Sequence, residues 1–251
     1  KAMIDHQIET IVILPHLDDE FALVPIIKKI TSSSKEKLTI IYCAERNKSI
    51  ALNNKRRGEN IKALALVGCS KERVIYLNDY FEITDLKLID ASAKIYNFLY
   101  DFLEKNNVKQ IVTLSFEGGH PDHDSLALIV SKISQRDGKL NSFFVPAYNN
   151  RKTLTIPISV FRPLKNQKKF FTKNIYSFFI WIDAVLIALS YPSERSAFIK
   201  LMPFILYKAF FSRSVYISSI IDIDSVNWEK SLSLKRYLVK KHDILNKIEG
   251  L

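Results

Sequence analysis

Glu9-Thr10-Ile11-Val12-Ile13-Leu14, followed at once by Pro15-His16-Leu17-Asp18-Asp19-Glu20, is the stretch that decides the fold of this chain. A short β-branched apolar run reads as a strand buried on both faces, and the polar turn behind it as a strand end rich in carboxylates. The same grammar recurs downstream. Lys37–Ala44, Arg73–Leu77, Gln110–Ser115 and Phe143–Tyr148 read as four further strands. Between them Phe21–Ile30, Arg56–Val67, Leu86–Lys105 and Asp124–Gln135 carry apolar residues at helical steps, with Gly68 as a stop. Such alternation predicts a Rossmann-like α/β fold over residues 1–150, a mostly parallel sheet with helices on both faces. No Gly-x-Gly-x-x-Gly follows the first strand, so a dinucleotide site is not supported.

The 251 residues, 47% of them hydrophobic, provide ample material for a buried core. Cys43 and Cys69 are too few to staple a secreted scaffold and lack metal-site spacing. The residues ahead of Ile11 do not read as a signal peptide, so a reducing, cytoplasmic setting is expected. Net charge is +11, which calls for an anionic partner. Residues 151–251 read as a helical, aromatic-rich cap on the core. Phe170–Phe211 holds twelve aromatics, and Val160–Val215 holds nine Lys/Arg against Asp183 and Glu194 alone. The apolar segments Ser177–Tyr191 and Ala197–Phe211 are broken by Asp183, Pro192, Lys200 and Pro203. They fall short of the roughly 18–20 residues of a spanning helix. Basic, aromatic and amphipathic character predicts a segment lying on an anionic membrane surface through residues 160–215, at the inner face of the cytoplasmic membrane. Nucleic acid is not expected, because the cluster lacks a polar, Arg-rich stripe.

Three of the five histidines fall in two short motifs at the carboxyl ends of strands one and four, where ligand sites form in parallel sheets. The first is Pro15–Glu20; the second is Gly118-Gly119-His120-Pro121-Asp122-His123-Asp124. An imidazole and a carboxylate from one turn with an imidazole from the other would make a three-ligand catalytic metal site with one open position. Adjacent Asp18 and Asp19 point different ways, so one can bind metal while the other faces a water as general base. Of His120 and His123, spaced around a helix-starting Pro121, one can ligate while the other supports a developing oxyanion or a leaving amine. Asp122 is a candidate to orient an imidazole.

These paired motifs resemble the LmbE-like deacetylases, the family of N-acetylglucosaminyl-phosphatidylinositol de-N-acetylase (PIG-L), whose motifs run (P/A)-H-P-D-D-E and H-P-D-H. Leu17 stands where that family has Pro. Arg56-Arg57-Gly58-Glu59 is similar to its R-x-x-E helix, and Trp228–Tyr237 faintly to its late Lys-x-x-x-Leu-x-x-Tyr helix. The resemblance implies that His16, Asp19 and His123 hold one Zn²⁺ per chain, with Fe²⁺ or Co²⁺ as alternatives. It implies Asp18 as general base and His120 as support for the tetrahedral intermediate, with Asp122 behind it. Arg56 would contact the sugar, and Asp79, or in its place Asp85, would bind hydroxyls. Glu20 would accept hydrogen bonds behind the ligands. Relatives place a tyrosine before the second motif, where this chain has Gly118 and Gly119, so Tyr148 is a candidate replacement. The implied reaction is hydrolysis of the N-acetyl group of an N-acetylated amino sugar. A metal-dependent phosphoesterase and a catalytically inactive membrane-binding module are the rival readings.

Overall fold

The structure, a computed structural model, describes residues 8–34, 37–46, 49–149, 159–165, 167–221, 246–248 and 250. Five parallel strands, β1 (Thr10–Leu14), β2 (Leu38–Tyr42), β3 (Val74–Tyr76), β4 (Gln110–Leu114) and β5 (Asn141–Val145), lie in the order β3-β2-β1-β4-β5. β1 and β2 are buried throughout, as continuous apolar runs in a doubly covered parallel sheet must be. Alternation fixes which face each side chain serves. Val12, Leu14, Ile40, Tyr42 and Val112 pack toward α1 (Val24–Ser34) and α2 (Ile50–Leu66). Ile11, Ile13, Ile41 and Ile111 pack toward α3 (Ser92–Asn106) and α4 (Pro121–Arg136). The Rossmann-like expectation holds, with helices on both faces of the sheet.

Element ends differ from the sequence expectation where a cap or a tight turn intervenes. α2 begins at Ile50, well before Arg56, because Ser49 caps it by accepting from the Leu52 amide. It stops as expected, Gly68 taking φ 79°. The expected helices at Phe21 and Leu86 each begin with a short 3-10 turn, Asp19–Ala22 and Leu88–Ala91. The chain continues past β5 into two antiparallel pairs that no apolar pattern announces. These are β6 (Tyr148–Asn149) with β7 (Ser159–Val160), and β8 (Thr172–Ile175) with β9 (Ser214–Ile217). Between β8 and β9 lie α5 (Phe178–Leu189), α6 (Arg195–Tyr207) and a π-helical turn at Lys208–Ser212. Trp181, Ala184, Ile187, Tyr191, Phe198 and Ile205 join the α1/α2 side of the core, and Phe21 meets the rings of Phe161 and Phe198 edge-on. No helix among the described residues is long and apolar enough to cross a membrane. The expected Trp228–Tyr237 helix lies outside the described residues.

Candidate active site

The sheet changes direction at β1: α1 and α2 lead outward through β2 and β3, and the chain then returns to β4 on the other side of β1. The carboxyl ends of β1 and β4 flank this switch point, where a crevice opens between diverging loops. Both histidine motifs start there.

The first turn is pinned by its own carboxylates. Asp19 Oδ2 accepts the His16 amide (3.0 Å), and Glu20 Oε2 accepts the Asp18 amide (3.1 Å) and the Tyr42 hydroxyl (2.9 Å). Asn60 and the Tyr191 hydroxyl donate to Glu20 Oε1, so the fully buried Glu20 is an acceptor that knits the turn to β2, α2 and the segment after α5. Burial pushes its pKa up to about 7, against the lowering effect of the Tyr191 and Tyr42 hydroxyls. Asp18 is held at φ 98°, ψ −17°, a strained conformation for a residue with a Cβ.

The second turn is built on α4. Asp124 Oδ1 accepts the amides of Glu117 (2.8 Å) and Gly118 (2.9 Å), folding the loop back onto the helix. Gly118 has φ 67°. At Gly119 a Cβ would stand 2.6 Å from the Tyr148 carbonyl oxygen, so glycine lets β6 close over the loop. Pro121 takes the first helical position, and His120 caps α4, its Nδ1 accepting the Asp122 amide (3.2 Å). His123 follows on the next turn, 5.2 Å from the Tyr148 ring between centroids.

Asp19 bridges the two motifs, Oδ2 lying 3.2 Å from His16 Nδ1 and Oδ1 3.3 Å from His123 Nε2. Ring-nitrogen donors of His16, His120 and His123 come within 4.8 Å of one another. A third segment enters through Asp122. Its carboxylate accepts the amides of Leu86 (2.7 Å) and Leu88 (3.2 Å), and places Asp85 against His16 Nε2 (3.2 Å) and His120 Nε2 (3.7 Å).

Two expected placements differ. Asp122 was expected behind the His120 ring; its carboxylate binds His16 Nε2 (2.9 Å) and only its amide meets His120, because the helix start turns the side chain toward residues 86–88. Asp79 was expected to bind hydroxyls; it is half-exposed and held by Arg57 Nη1 at 2.7 Å, and the carboxylate among the histidines is Asp85. Arg56 is buried, bonded to the Leu17 carbonyl (3.2 Å) and to Glu194 (3.0 Å), and 3.5 Å from Asp18. Sequence reasoning missed Glu194 and Arg46, which pair with each other at the mouth of the site, Arg46 also 3.9 Å from Asp85. One signal was present: Glu194 is one of only two acids in a basic stretch.

The electrostatics fit a cation. Asp19, Asp85 and Asp122 contact the three imidazoles, and Asp18 adjoins Asp19. His123 Nε2 and Asp85 Oδ1 are buried and meet Asp19 and His16 only as poorly aligned ion pairs, which leaves both atoms able to turn toward an ion. Two imidazoles and one carboxylate are the donor chemistry of a catalytic zinc-class ion. Burial and repulsion by Asp19 raise the Asp18 pKa well above the usual carboxylate range. Burial works against ionised Asp19, yet the imidazoles of His123 and His16 hold it well below that range. Burial, with repulsion from His16 and His123, brings His120 down to about 2, so its ring is neutral. Since Nδ1 accepts the Asp122 amide, the His120 proton sits on Nε2, on the side of Asp85.

A family model described as PIG-L: GlcNAc-PI de-N-acetylase matches residues 11–134, from β1 through both histidine turns into α4. Residues 11–134 belong to the PIG-L, or LmbE-like, family. With the PIG-L domain comes the enzyme class, a deacetylase hydrolysing an amide C–N bond. Solved structures share the fold. The deacetylase Dbv21, acting on the A40926 pseudoaglycone, superposes with TM-score 0.56 at 13% identity, over 84% of this chain and 96% of its own. The deacetylase of teicoplanin biosynthesis gives 0.56 at 12% identity over 86% and 100%. A conserved protein of Thermus thermophilus, TT1542, gives 0.51 at 16% over 87% and 98%. Among curated protein sequences none matches the chain. The structural coverage carries the likeness in fold beyond residue 134.

Proposed function

We propose that this chain is a metal-dependent hydrolase that removes the acetyl group from an N-acetylated amino sugar. The observation that carries the reading is the convergence of the His16, His120 and His123 rings at the switch point, with Asp19 bridging His16 and His123 and Asp18 beside it in the chain. The family description and the A40926 pseudoaglycone and teicoplanin deacetylases of the same fold support an amide on an amino sugar as the bond attacked. His16, Asp19 and His123 would hold the ion, with Zn²⁺ the best match to two imidazoles and a carboxylate. The chemistry such an ion supplies there is Lewis-acid polarisation of the amide carbonyl and acidification of water.

The chain's own residues account for the proton movements. Asp18, with its raised pKa, accepts the proton of the attacking water. Neutral His120 presents its Nε2 proton to the developing oxyanion, and burial strengthens that hydrogen bond. The C–N bond breaks to acetate and an amine, and the proton held by Asp18 goes to the departing nitrogen. Arg56, fixed by Glu194, keeps Asp18 oriented, while the more exposed Arg46 and Asp85 line the approach and are suited to sugar hydroxyls. A cytoplasmic setting belongs to the same proposal, supported by two free, buried cysteines.

The test is acetate release from free, nucleotide-linked and lipid-linked N-acetylamino sugars, with metal content measured alongside. Release that Asp18→Asn abolishes while metal content stays at one ion per chain is expected. His123→Ala should lose the ion. Phosphate release from phosphorylated sugars without acetate release would overturn the reading in favour of a phosphoesterase.

A further inference from the structure

Helices at a protein surface ordinarily turn their polar side outward. The two cap helices turn apolar side chains outward as well as inward. Along α5, Phe179, Leu186 and Leu189 are exposed, and along α6 and the π turn so are Ile199, Leu206, Tyr207, Phe210 and Phe211. Phe179 and Phe211 are more than three-quarters exposed. Spacings of three, four and seven put each set on one side of its helix. Between the two helices runs a groove of about 670 Å³ whose floor includes Leu189, Ile199, Met202 and Leu206. Both helices already bury their other sides, through Trp181, Ala184 and Ile187 on α5 and Phe198 and Ile205 on α6. The outward apolar face is therefore surplus to the packing of the core.

The charges around this face are sorted by sign. Asp183 and Glu194 are the only acids between residues 159 and 221. Asp183 is drawn back onto Lys28 of α1 (3.0 Å), and Glu194 is buried against Arg46 and Arg56. Lys165, Lys168, Lys169, Lys173, Arg195, Lys200 and Arg213 are exposed on the same unit. The outer surface of the cap is thus apolar and cationic together, with both acids spent on inward ion pairs. An anionic bilayer uses both features: headgroups take the lysines and the acyl boundary takes the aromatics.

We propose that the outward face of α5, α6 and the π turn docks on the surface of an anionic lipid bilayer, with Phe179, Phe210 and Phe211 entering the interface. The groove ends at Tyr191, Pro192 and Arg195, which flank Glu194, so docking sets the crevice mouth at the membrane plane. Binding is independent of turnover and is read without it.

The experiment is co-sedimentation of the full chain with phosphatidylglycerol vesicles and, separately, with phosphatidylcholine vesicles. Binding to the first and at least about tenfold weaker binding to the second is expected. Raising salt from about 0.1 M to about 1 M shortens the Debye length from about 10 Å to about 3 Å and should release the protein. Phe179→Ser combined with Phe211→Ser should lower partitioning at least about tenfold. Both positions are exposed, so an unchanged circular dichroism spectrum and unchanged acetate release from a soluble sugar are expected of that variant. Absence of binding to anionic vesicles, or equal binding to both lipids, overturns the proposal. So does a dimer in solution that the double substitution dissociates, which would assign the face to a second copy of the chain. Loss of acetate release in wild type would instead bear on the hydrolase reading alone.

Discussion

Asp18 combines a left-handed backbone with a half-buried carboxyl beside Asp19, two costs that nothing in the packing of the core requires. Strain of this kind is kept where geometry serves chemistry. Asn is the substitution that tests the charge alone, since it tolerates the same backbone and keeps the shape. Asp18→Asn is expected to lower kcat by about 10²–10⁴. It should leave the urea midpoint unchanged or raised, because a half-buried carboxylate repelled by Asp19 has been removed. A fall in stability equal to the loss of activity would make Asp18 structural. Lys208 offers a second test far from the histidines. Its Nζ is buried, donating to the Ser214 carbonyl (2.8 Å) and hydroxyl (3.2 Å). Burial, then repulsion by Arg162 and Lys173, brings its pKa down to about 7. Between that value and the ordinary one near 10.5 the unfolded chain holds a proton that the folded chain lacks, so stability rises with pH, by at most about 1.4 kcal/mol per unit. Urea unfolding at pH 7 and 9 should show that rise in wild type and its loss in Lys208→Met. An identical pH dependence in the variant would mean that Lys208 stays charged when folded.

At the scale of elements, the start of α4 concentrates what the site needs. Pro121 fixes the first turn, His120 caps it, and Asp122 and Asp124 sit where the helix dipole favours negative charge. This much was legible: the Pro between two histidines announced a helix start, and strand-end positions announced a site. The register of the loop above it was not, since it depends on Asp124 gathering the amides of Glu117 and Gly118 and on the closeness of β6. Gly119→Ala tests that closeness. With a Cβ 2.6 Å from the Tyr148 carbonyl, it should cost about 1–3 kcal/mol of stability and move Tyr148 and His123 apart, lowering kcat/KM at least about tenfold. Gly58→Ala, in α2 with open space around its Cβ position, is the control and should stabilise by about 0.5–1 kcal/mol. Equal thermal midpoints and equal kinetics for both variants would remove the close approach as an explanation.

For the whole molecule, Glu194 ties the cap to the PIG-L core. It stands at the N-terminus of α6, and its carboxylate meets Arg56 of α2 and Arg46 of the loop after β2. Removing one partner from a buried charged group leaves the other uncompensated, a loss of about 3–5 kcal/mol in comparable cases. Glu194→Ala should therefore lower the thermal midpoint. It should also lower kcat, since Arg56 no longer holds Asp18 in place, and raise KM, since the freed Arg46 lines the approach to the site. A variant with wild-type stability would show the cap to be held by its apolar contacts alone.

The sequence by itself determined the alternation of strands and helices, the two motifs at strand ends and the presence of a basic, aromatic cap, because each is written in local spacing and composition. It favoured Asp79, with Asp85 as the alternative six positions on. Tertiary structure decided for Asp85: Arg57 captures Asp79, while the Asp122 carboxylate anchors Leu86 and Leu88 and brings Asp85 to the histidines. It likewise decided that Asp183 and Glu194 face inward, and which aromatics face outward (Phe179, Tyr207, Phe210 and Phe211) rather than inward with Trp181, Tyr191 and Phe198. Both outcomes rest on pairs of residues far apart along the chain, and packing of distant elements leaves no period in the sequence to read.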